Sequence, residues 1–204
     1  MKKQVELRSI VFEGINQAKL ETKPKTFILS PHDVLIKTRY SCISAGTEMA
    51  KLTGLQKVSY PFYLGNRAVG NVVATGHDVD NVVIDDLVFS HTHHQNYSLG
   101  QQLVCPLPNE LNTPVAATLG MALVAGIQTV RPELGDNVVV TGAGLVGQFA
   151  AQLAALSGAY PILIDIVDER LQVARSCGIN TTINPIREDA SEHVMELTNG
   201  KGPT

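Results

Sequence analysis

The sequence predicts an α/β protein in which a small, barrel-like β domain precedes the first half of a doubly wound parallel sheet. Two observations lead to this fold class. Short β-rich runs alternate with turn residues in the first part of the chain, whereas the last part follows the order strand, glycine turn, helix, strand, helix, strand. The first pattern is typical of a small antiparallel β domain, and the second of parallel strands that helices connect.

The β-rich runs are short and end at turn residues such as Ser30-Pro31-His32; they cover residues 5–12, 33–40, 70–75 and 87–90. Gly46 and Gly54 bracket a short helix that we predict over residues 47–53. Residues 115–130 differ in character, because they are rich in Ala, Leu, Met and Gly with helical spacing. We therefore predict a β domain at residues 1–114 and a parallel-sheet domain at residues 115–204.

The composition is that of a globular protein without a strongly charged binding surface. Of the 204 residues, 44% are hydrophobic and 17% charged, and the formal net charge of -3 gives no general attraction to nucleic acid or to an anionic membrane. No apolar run is long enough for a signal peptide or a membrane span, so we expect a cytoplasmic protein with no nucleic acid or membrane partner. Cys42, Cys105 and Cys177 lie far apart, and we expect free thiols.

The apolar strand predicted at residues 137–141 leads directly into a glycine-rich turn, Gly142-Ala143-Gly144-Leu145-Val146-Gly147. Gly142 permits a tight turn, Gly144 lets the backbone approach a pyrophosphate, and Gly147 lets the next helix pack close to the strand. The phosphates would lie at the N-terminus of that helix, on Leu145 and Val146. A turn that merely joins a strand to a helix is the alternative.

A second strand, predicted at residues 161–165, ends in an acidic residue at the spacing that dinucleotide-binding folds use. Asp165 follows the glycines by about 20 residues, where its carboxylate would accept hydrogen bonds from ribose hydroxyls and repel a 2′-phosphate. The complete order of strand, turn, helix, strand and acid therefore favours NAD binding over a plain turn.

The helices of this part have predicted limits and faces. The first helix would end at Gly158 and bury an apolar stripe of Leu145, Val146, Phe149, Leu153 and Leu156. The next helix, predicted over residues 169–177, would begin at an N-cap Asp168 and stop at Gly178.

Four segments of the chain resemble the medium-chain dehydrogenase/reductase family. They are the loop 44–48 with Gly54, the segment 64–70, the helical segment 117–121 and the glycine-turn region 135–147. The resemblance implies a GroES-like β-barrel catalytic domain followed by a Rossmann NAD-binding domain. It also implies a nicotinamide-dependent oxidoreductase that acts on a small molecule.

The positions that carry the family's catalytic zinc have no metal ligand in this sequence. The family's cysteine falls on Ala45, its histidine on Asn66 and its second cysteine on Met121, while the neighbouring glutamate falls on Arg67. None of these side chains replaces a thiolate, imidazole or carboxylate around tetrahedral Zn²⁺. The chain therefore resembles a zinc-lacking branch, and the loop around Ala45 is similar to that of bacteriochlorophyllide dehydrogenase-like proteins.

Three residues are candidates for proton transfer. Thr47 falls where the family has a hydroxyl that relays the substrate proton, and a helix N-cap is its alternative role. Glu48 is either a general acid or base or a structural residue of the first helical turn. His94 is a catalytic or substrate-binding candidate through its family-like position. His91 and His93 would share one face of a strand, so a metal site stays open beside exposed or hydrogen-bonded histidines.

Three parallel strands are predicted, at residues 137–141, 161–165 and 181–183, followed by a helix at 190–198. A complete Rossmann sheet continues with further strands, and its cofactor lies where the strand order reverses. We therefore expect a fragment or a natural truncation, and a homo-oligomer formed through the exposed edge strand.

The predicted function is a zinc-independent, NAD-dependent oxidoreductase that transfers hydride between nicotinamide and a small alcohol or carbonyl substrate. One alternative is a zinc-free quinone or enoyl reductase, for which NADPH is expected. The other is a non-catalytic dinucleotide-binding protein. The sequence leaves the substrate open.

Overall fold

A computed structural model of the chain describes residues 2–100, 104–108, 110–118 and 131–204. The chain divides into two compact units, Met1–Gly120 and Met121–Thr204. The predicted domain limit after residue 114 stays a prediction. Within the described ranges, no helix is long and apolar enough to cross a membrane.

The described residues of the first unit form two antiparallel sheets and a short helix, α1, at Ala45–Leu52, and residues 113–118 are also helical. The three-stranded sheet has the order β2-β1-β4, and the five-stranded sheet has the order β7-β3-β5-β6-β8. The strands are β1 Lys2–Gly14, β2 Gln17–Ile28, β3 Val34–Ser41, β4 Phe62–Tyr63, β5 Ala68–Thr75, β6 Leu87–Ser90, β7 Tyr97–Gly100 and β8 Val104–Pro106.

The two sheets meet at a narrow junction between β1 and the segment before β7. Ser9 and Gln95 form an isolated antiparallel bridge, and the backbone N–H of Ile10 donates to the carbonyl of His94 at 2.9 Å. The strands of the described residues therefore form two sheets, which are joined by this short stretch of backbone pairing and by packing of their side chains. The predicted barrel-like closure is corrected accordingly, because its strands do not pair around a complete cylinder.

The core of the first unit lies around the middle of β3. Val34, Leu35 and Ile36 are all buried, because both faces of this strand are covered. Leu35 belongs to one apolar cluster, which also contains Leu7, Phe27, Leu29 and Ala74; Val34 and Ile36 belong to another, with Val72, Val82 and Val88. Strand β2 was not predicted, because its polar residues leave almost the whole strand exposed at the edge of its sheet.

The second unit is a three-stranded parallel sheet with helices on both faces, which confirms the predicted order of elements. Its strand order is β11-β10-β9, and its elements are β9 Asn137–Thr141, α2 Leu145–Leu156, β10 Tyr160–Ile164, α3 Asp168–Ser176, β11 Thr182–Ile183 and α4 Ala190–Leu197. Leu163 of β10 packs with residues of α2 and α3, whereas Ile162 packs with Val194 of α4. Successive residues of β10 thus serve opposite faces of the sheet.

Helix α2 buries small residues, which makes the predicted apolar stripe wrong. Its buried residues are Gly147, Ala150, Ala151 and Ala154. Leu145 and Leu156 are 41% and 84% exposed. Small side chains allow the helix axis to approach the sheet closely, and the larger residues are therefore left on the outer face.

The start of α3 also differs from the prediction. Val167 is the N-cap residue, and Asp168 is the first residue of the helix. The carboxylate of Asp168 instead accepts a hydrogen bond from Asn184 Nδ2 at 2.8 Å and pairs with Arg187. Asp168 therefore connects α3 to the segment that follows β11.

Gly147 is the point of closest approach between α2 and the glycine turn. A Cβ atom at this position would lie 1.8 Å from the carbonyl oxygen of Gly142, whereas no atom lies within 4 Å of a Cβ at Gly144. Gly142 itself has φ +88°, a conformation that favours glycine. The predicted packing role of Gly147 is thus visible in the backbone contact.

We expect Gly147→Ala to lower the free energy of unfolding by about 1–3 kcal/mol, since the added methyl group must displace backbone. Urea unfolding followed by circular dichroism measures this change. The matched control is Gly144→Ala, at which the added methyl group meets open space. Equal unfolding midpoints for the two variants would contradict the close-packing argument.

Candidate functional site

His94 is buried at the junction of the two sheets of the first unit, and each of its ring nitrogens contacts one other side chain. His94 Nε2 lies 3.0 and 3.1 Å from the two carboxylate oxygens of Glu48. His94 Nδ1 lies 2.7 Å from Ser41 Oγ. The exposed fractions of the His94 and Glu48 side chains are 8% and 12%. The structure thus brings together two of the predicted catalytic residues, and adds a serine that the sequence did not indicate.

Backbone contacts fix the position of His94. Its N–H donates to the carbonyl of Leu64 at 2.6 Å, and its own carbonyl accepts from Ile10. Gly65 has φ +95°, and a Cβ atom there would lie 2.4 Å from the backbone nitrogen of His94. Only glycine therefore permits this approach of the two segments.

Glu48 reaches His94 from the first turn of α1. Its Oε1 also accepts a hydrogen bond from the backbone N–H of Ser44 at 3.0 Å. Ser44 is the N-cap residue and its own side chain does not cap the helix. Glu48 therefore has the structural role predicted for the first helical turn, because it satisfies a backbone donor at the helix start. It also contacts the imidazole, and its role as a general acid or base stays a prediction.

Thr47 is an exposed residue within α1. The alternative N-cap role predicted for it is wrong, since Ser44 occupies that position. Its role as a proton-relaying hydroxyl stays a prediction.

The pKa of Glu48 is lowered in this environment. Burial of the carboxyl group acts to raise the pKa, but the hydrogen bonds from His94 and the Ser44 N–H, with the charge of Lys51, outweigh it. Glu48 is therefore ionised at neutral pH. Because a carboxylate only accepts, the hydrogen between the two side chains lies on His94 Nε2.

The Glu48–His94 pair faces a largely apolar pocket of about 380 Å³, whose lining residues are Ile10, Phe12, Ser41, Ile43, Glu48, Met49, Leu64 and His94. Apolar walls with a few convergent polar groups are typical of sites for small organic ligands. Three polar side chains of this lining are the ones that form the hydrogen-bonded chain. The pocket therefore offers a place for a small substrate beside a group that can accept or donate a proton.

His91 and His93 do not share a strand face as predicted, because β6 ends at Ser90 and the following residues are irregular. His93 Nδ1 instead lies 3.1 Å from the carbonyl oxygen of Gly65. Among the described residues, no group of three His, Cys, Asp or Glu side chains could hold a metal ion.

The residues at the family's zinc positions do not fit the metal. Ala45 has no donor atom, Asn66 has one buried amide oxygen that no described donor reaches, and Arg67 is a buried cation. Burial lowers the pKa of the Arg67 guanidinium, whereas Cys42 and Glu48 act in the opposite direction. An arginine remains charged despite such a shift, and it repels Zn²⁺. The fourth predicted position, Met121, lies outside the described residues.

The glycine turn of the second unit has the shape of a phosphate cradle. Gly144 is the N-cap residue of α2, and no side chain caps the helix start. The space where a Cβ of Gly144 would stand is open. Backbone N–H groups at Leu145 and Val146 can therefore face an anionic group, so the turn fits the pyrophosphate of a dinucleotide.

Asp165 has a structural role that its sequence position did not reveal. Its Oδ2 accepts from the N–H of Ala143 at 2.6 Å and its Oδ1 from that of Val167 at 2.8 Å. The pKa of Asp165 is lowered, because these two hydrogen bonds and nearby Arg170 outweigh burial, which acts to raise it. The carboxylate therefore locks the glycine turn onto the end of β10, and its contact with a ribose stays a prediction.

Comparisons with known proteins decide the family. A family model described as alcohol dehydrogenase GroES-like domain matches residues 30–152, and one described as zinc-binding dehydrogenase matches residues 146–204. The chain belongs to the medium-chain dehydrogenase/reductase family. This result confirms the resemblance and the α/β fold class, with a GroES-like domain followed by the start of a Rossmann sheet.

Relatives of the chain within this family are dehydrogenases by name. An uncharacterized zinc-type alcohol dehydrogenase-like protein of Haemophilus influenzae is 30% identical over 208 residues, which cover 84% of this chain and 60% of that protein. L-threonine 3-dehydrogenase of Pyrococcus abyssi is 29% identical over 209 residues, with the same coverage. The chain thus spans about 60% of the length of these relatives.

Solved structures of the family share the fold. The CurK enoyl reductase has a TM-score of 0.84 at 20% identity, over 98% of this chain and 66% of that chain. Identity at this level supports the fold alone.

We expect Glu48→Gln to destabilise the chain by roughly 1–3 kcal/mol at neutral pH, because a charge-assisted hydrogen bond is lost. A carboxyl group whose folded-state pKa is lowered contributes stability that is complete above its unfolded value of 4.5 and is lost as the pH falls through the folded value. The difference between parent and variant should therefore shrink below pH 4.5. Urea unfolding over a pH series measures it.

The control for this series is Glu6→Gln, at an exposed position of β1. A Glu48→Gln difference that stays constant as the pH falls, or that matches Glu6→Gln, would show that the carboxylate is not stabilised by the imidazole.

Proposed function

We propose that this chain carries the proton-transfer site and the adenosine–pyrophosphate site of a zinc-independent, NAD-dependent oxidoreductase. Its reaction would transfer a hydride between nicotinamide and a small alcohol or carbonyl compound. The observation that carries this proposal is the buried Glu48–His94 pair in an apolar pocket, in a protein family whose metal positions are here occupied by residues that do not bind zinc. The family, the pocket and the glycine turn support it together.

The second unit would hold the dinucleotide through the backbone of its glycine turn. Gly142 and Gly144 leave room for the pyrophosphate, and the start of α2 supplies N–H groups at Leu145 and Val146. When bound, the nicotinamide ring accepts or donates a hydride. Asp165 at the end of β10 favours NAD over NADP, since its negative charge would oppose a 2′-phosphate.

The first unit would manage the proton that accompanies the hydride. Oxidation of an alcohol releases a proton, and His94 is the base that faces the pocket with its tautomer held by Glu48. In the reduction direction the imidazolium of His94 would return that proton to the developing alkoxide. The family resemblance implies Thr47 as a hydroxyl between substrate and base.

A metal-free site needs another source of positive charge near the substrate oxygen. Protonated His94, acting through a neighbouring hydroxyl, and the buried cation Arg67 are the candidate sources of the first unit. Zinc at this place would have to bind beside Arg67 without the usual ligands, which its charge and the missing donor atoms disfavour.

The names of relatives support an alcohol substrate, since one of them is an L-threonine 3-dehydrogenase. A zinc-free quinone or enoyl reductase is the alternative within the family. An NADPH preference would favour that alternative, and an absence of substrate-dependent NADH oxidation would favour a non-catalytic dinucleotide-binding protein.

We expect the chain to bind NAD more tightly than NADP by at least about 1.4 kcal/mol, which corresponds to about tenfold in Kd, because Asp165 opposes the added phosphate. Isothermal titration calorimetry with each dinucleotide measures both constants. Gly144→Ala should weaken both dinucleotides without loss of stability, since its Cβ would enter the phosphate cradle. Equal or tighter binding of NADP would show that Asp165 does not read the ribose.

Turnover is expected to be independent of zinc. Metal analysis of the full-length protein that contains this chain should find less than stoichiometric zinc, and chelators should not change its NAD reduction with 2-propanol or L-threonine. His94→Ala should lower kcat by about 100-fold, the usual contribution of a general base, while the Kd for NAD stays unchanged.

Thr47→Val belongs to the same series, because it tests the hydroxyl that the family resemblance implies. Stoichiometric zinc with chelator-sensitive turnover would overturn the metal-free mechanism and make His91 and His93 the first ligand candidates. Unchanged turnover in His94→Ala would remove the imidazole from the reaction.

A further inference from the structure

Ser41 lies between two cavities of the first unit. It is the last residue of β3, and it lines the apolar pocket of about 380 Å³ that also contains Glu48. It lines a second cavity of about 280 Å³ as well. Three residues belong to both linings: Ile10, Ser41 and His94. The serine hydroxyl and the imidazole thus stand at the boundary between two spaces.

The two cavities differ in chemistry. The walls of both cavities are mostly apolar, but the smaller one includes more polar lining residues: Arg8, Thr38, Arg39, Gln95 and Asn96. A substrate with an apolar body suits the larger pocket, and water suits the smaller one. The Ser41–His94 pair offers a proton a hydrogen-bonded route between the two linings.

The hydrogen-bond pattern determines which atom is the donor between Ser41 and His94. Glu48 is an acceptor, so His94 Nε2 carries a hydrogen and, in the neutral imidazole, Nδ1 carries a lone pair. Ser41 Oγ, 2.7 Å away, therefore donates its hydrogen to Nδ1. Hydroxyl, imidazole and carboxylate are then aligned so that the imidazole acts as a base toward the hydroxyl, and the carboxylate stabilises the imidazolium.

Both protonation states of His94 fit the same three contacts. When the imidazole is neutral, Ser41 donates to Nδ1; when it is protonated, Nδ1 donates to Ser41, and Nε2 donates to Glu48 in either state. No side chain has to move between the states. This reversibility is what a proton relay requires.

We propose that Ser41, His94 and Glu48 form a proton relay in which Ser41 Oγ is the catalytic hydroxyl that exchanges a proton with the substrate oxygen. The proposal rests on the proposed oxidoreductase function. It makes Ser41, and not Thr47, the hydroxyl nearest to the base. Both ring nitrogens of His94 are already occupied, one by Ser41 and the other by Glu48, whereas Thr47 is exposed on α1.

In the oxidation direction, the substrate alcohol loses a proton from its oxygen and a hydride from its carbon. The O–H bond of the substrate alcohol breaks and its proton goes to Ser41 Oγ, as the hydroxyl proton of Ser41 goes to His94 Nδ1. The hydrogen on the carbinol carbon would leave with its electron pair, for which oxidised nicotinamide, when bound, would be the acceptor, so the alcohol would become a carbonyl. The imidazolium then returns its extra proton, through Ser41, to water in the smaller cavity.

Charged groups around the relay favour the imidazolium only in part. Glu48 stabilises it directly, whereas Lys51 of α1 and the buried Arg67 near Glu48 bring positive charge to the same region.

The decisive variant is Ser41→Ala, which removes the hydroxyl and leaves His94 and Glu48 in place. We expect kcat for NAD reduction with 2-propanol or L-threonine to fall by about 100-fold, with KM and the Kd for NAD almost unchanged. Ser41→Thr, which keeps the hydroxyl, should recover activity to within about tenfold of the parent chain. The loss in Ser41→Ala should exceed the loss in Thr47→Val.

The matched control is Ser98→Ala. Ser98 is a buried serine of β7, the strand that pairs with β3, and its Oγ contacts no described hydrogen-bond partner. It lines neither cavity. Loss of this hydroxyl repeats the chemical change of Ser41→Ala in the same sheet, and it should leave kcat unchanged.

A second readout needs no turnover. Nitrogen NMR of the histidine rings should show His94 with its hydrogen on Nε2 and an unprotonated, hydrogen-bonded Nδ1 in the neutral state. The Nδ1 resonance should move in Ser41→Ala and stay in place in Ser98→Ala. A hydrogen on Nδ1 of neutral His94, or a resonance that Ser41→Ala does not move, would overturn the relay.

The two proposals fail in different ways. Nicotinamide-dependent turnover that Ser41→Ala and Ser98→Ala leave equally fast would overturn the relay alone, as would a loss confined to Thr47→Val. Absence of turnover by the full-length protein that contains this chain, with the alcohol probes and with acetone and NADH in the reverse direction, would overturn the proposed function and the relay together.

Discussion

The contact between the imidazole of His94 and the carboxylate of Glu48 is the interaction on which the site depends. Removing a carboxylate from water is costly, and an uncompensated charge at 12% exposure would destabilise the fold. Here two donors compensate it, one from the ring of His94 and one from the backbone N–H of Ser44. The same carboxylate therefore fixes the start of α1 and the tautomer of the base, so the helix and the proton-transfer site are formed together.

The second unit has a similar arrangement, in which both carboxylate oxygens of Asp165 accept hydrogen bonds from backbone N–H groups. The contacts with Ala143 and Val167 join the glycine turn to the end of β10. The side chain of Asp165 is almost fully buried, and Arg170 lies 3.5 Å from Oδ2, so the contact with a ribose hydroxyl stays a prediction. A substitution at Asp165 would consequently alter the shape of the phosphate cradle as well as any preference between the two dinucleotides.

Periodicity and turn chemistry were enough to predict the parallel sheet. Strand β9 and the glycine turn were predicted at their observed places, because local backbone needs determine them. Helix α2 was misread on its buried face, since the spacing of leucines does not reveal that a close helix–sheet contact selects alanine and glycine. Strand β2 was missed for the opposite reason, as an exposed edge strand has no apolar alternation to detect.

The site was only partly predictable for a different reason. Glu48 and His94 were candidates by their similarity to family positions, but nothing in the sequence connected them. Ser41 lies 53 positions from His94, and it reaches the imidazole because β3 ends at the junction of two sheets. The sequence indicated Gly65 only as part of a segment that resembles the family. Its positive φ and missing side chain are what allow the backbone of His94 to lie so close. Long-range pairings of this kind follow from topology, which a single sequence does not encode locally.

The exposed edge of the first sheet has a consequence for how the protein behaves at high concentration. Strand β2 presents unpaired backbone groups along one side, an arrangement that commonly invites a second chain to add a strand. Its outer positions include Lys19, Lys23, Lys25 and Pro24. Pro24 lacks an N–H, so it offers a docking strand no backbone donor. The positive charges of the lysines also oppose a second copy of this strand, which would bring the same charges beside them. Both features disfavour the addition of a second chain at this edge.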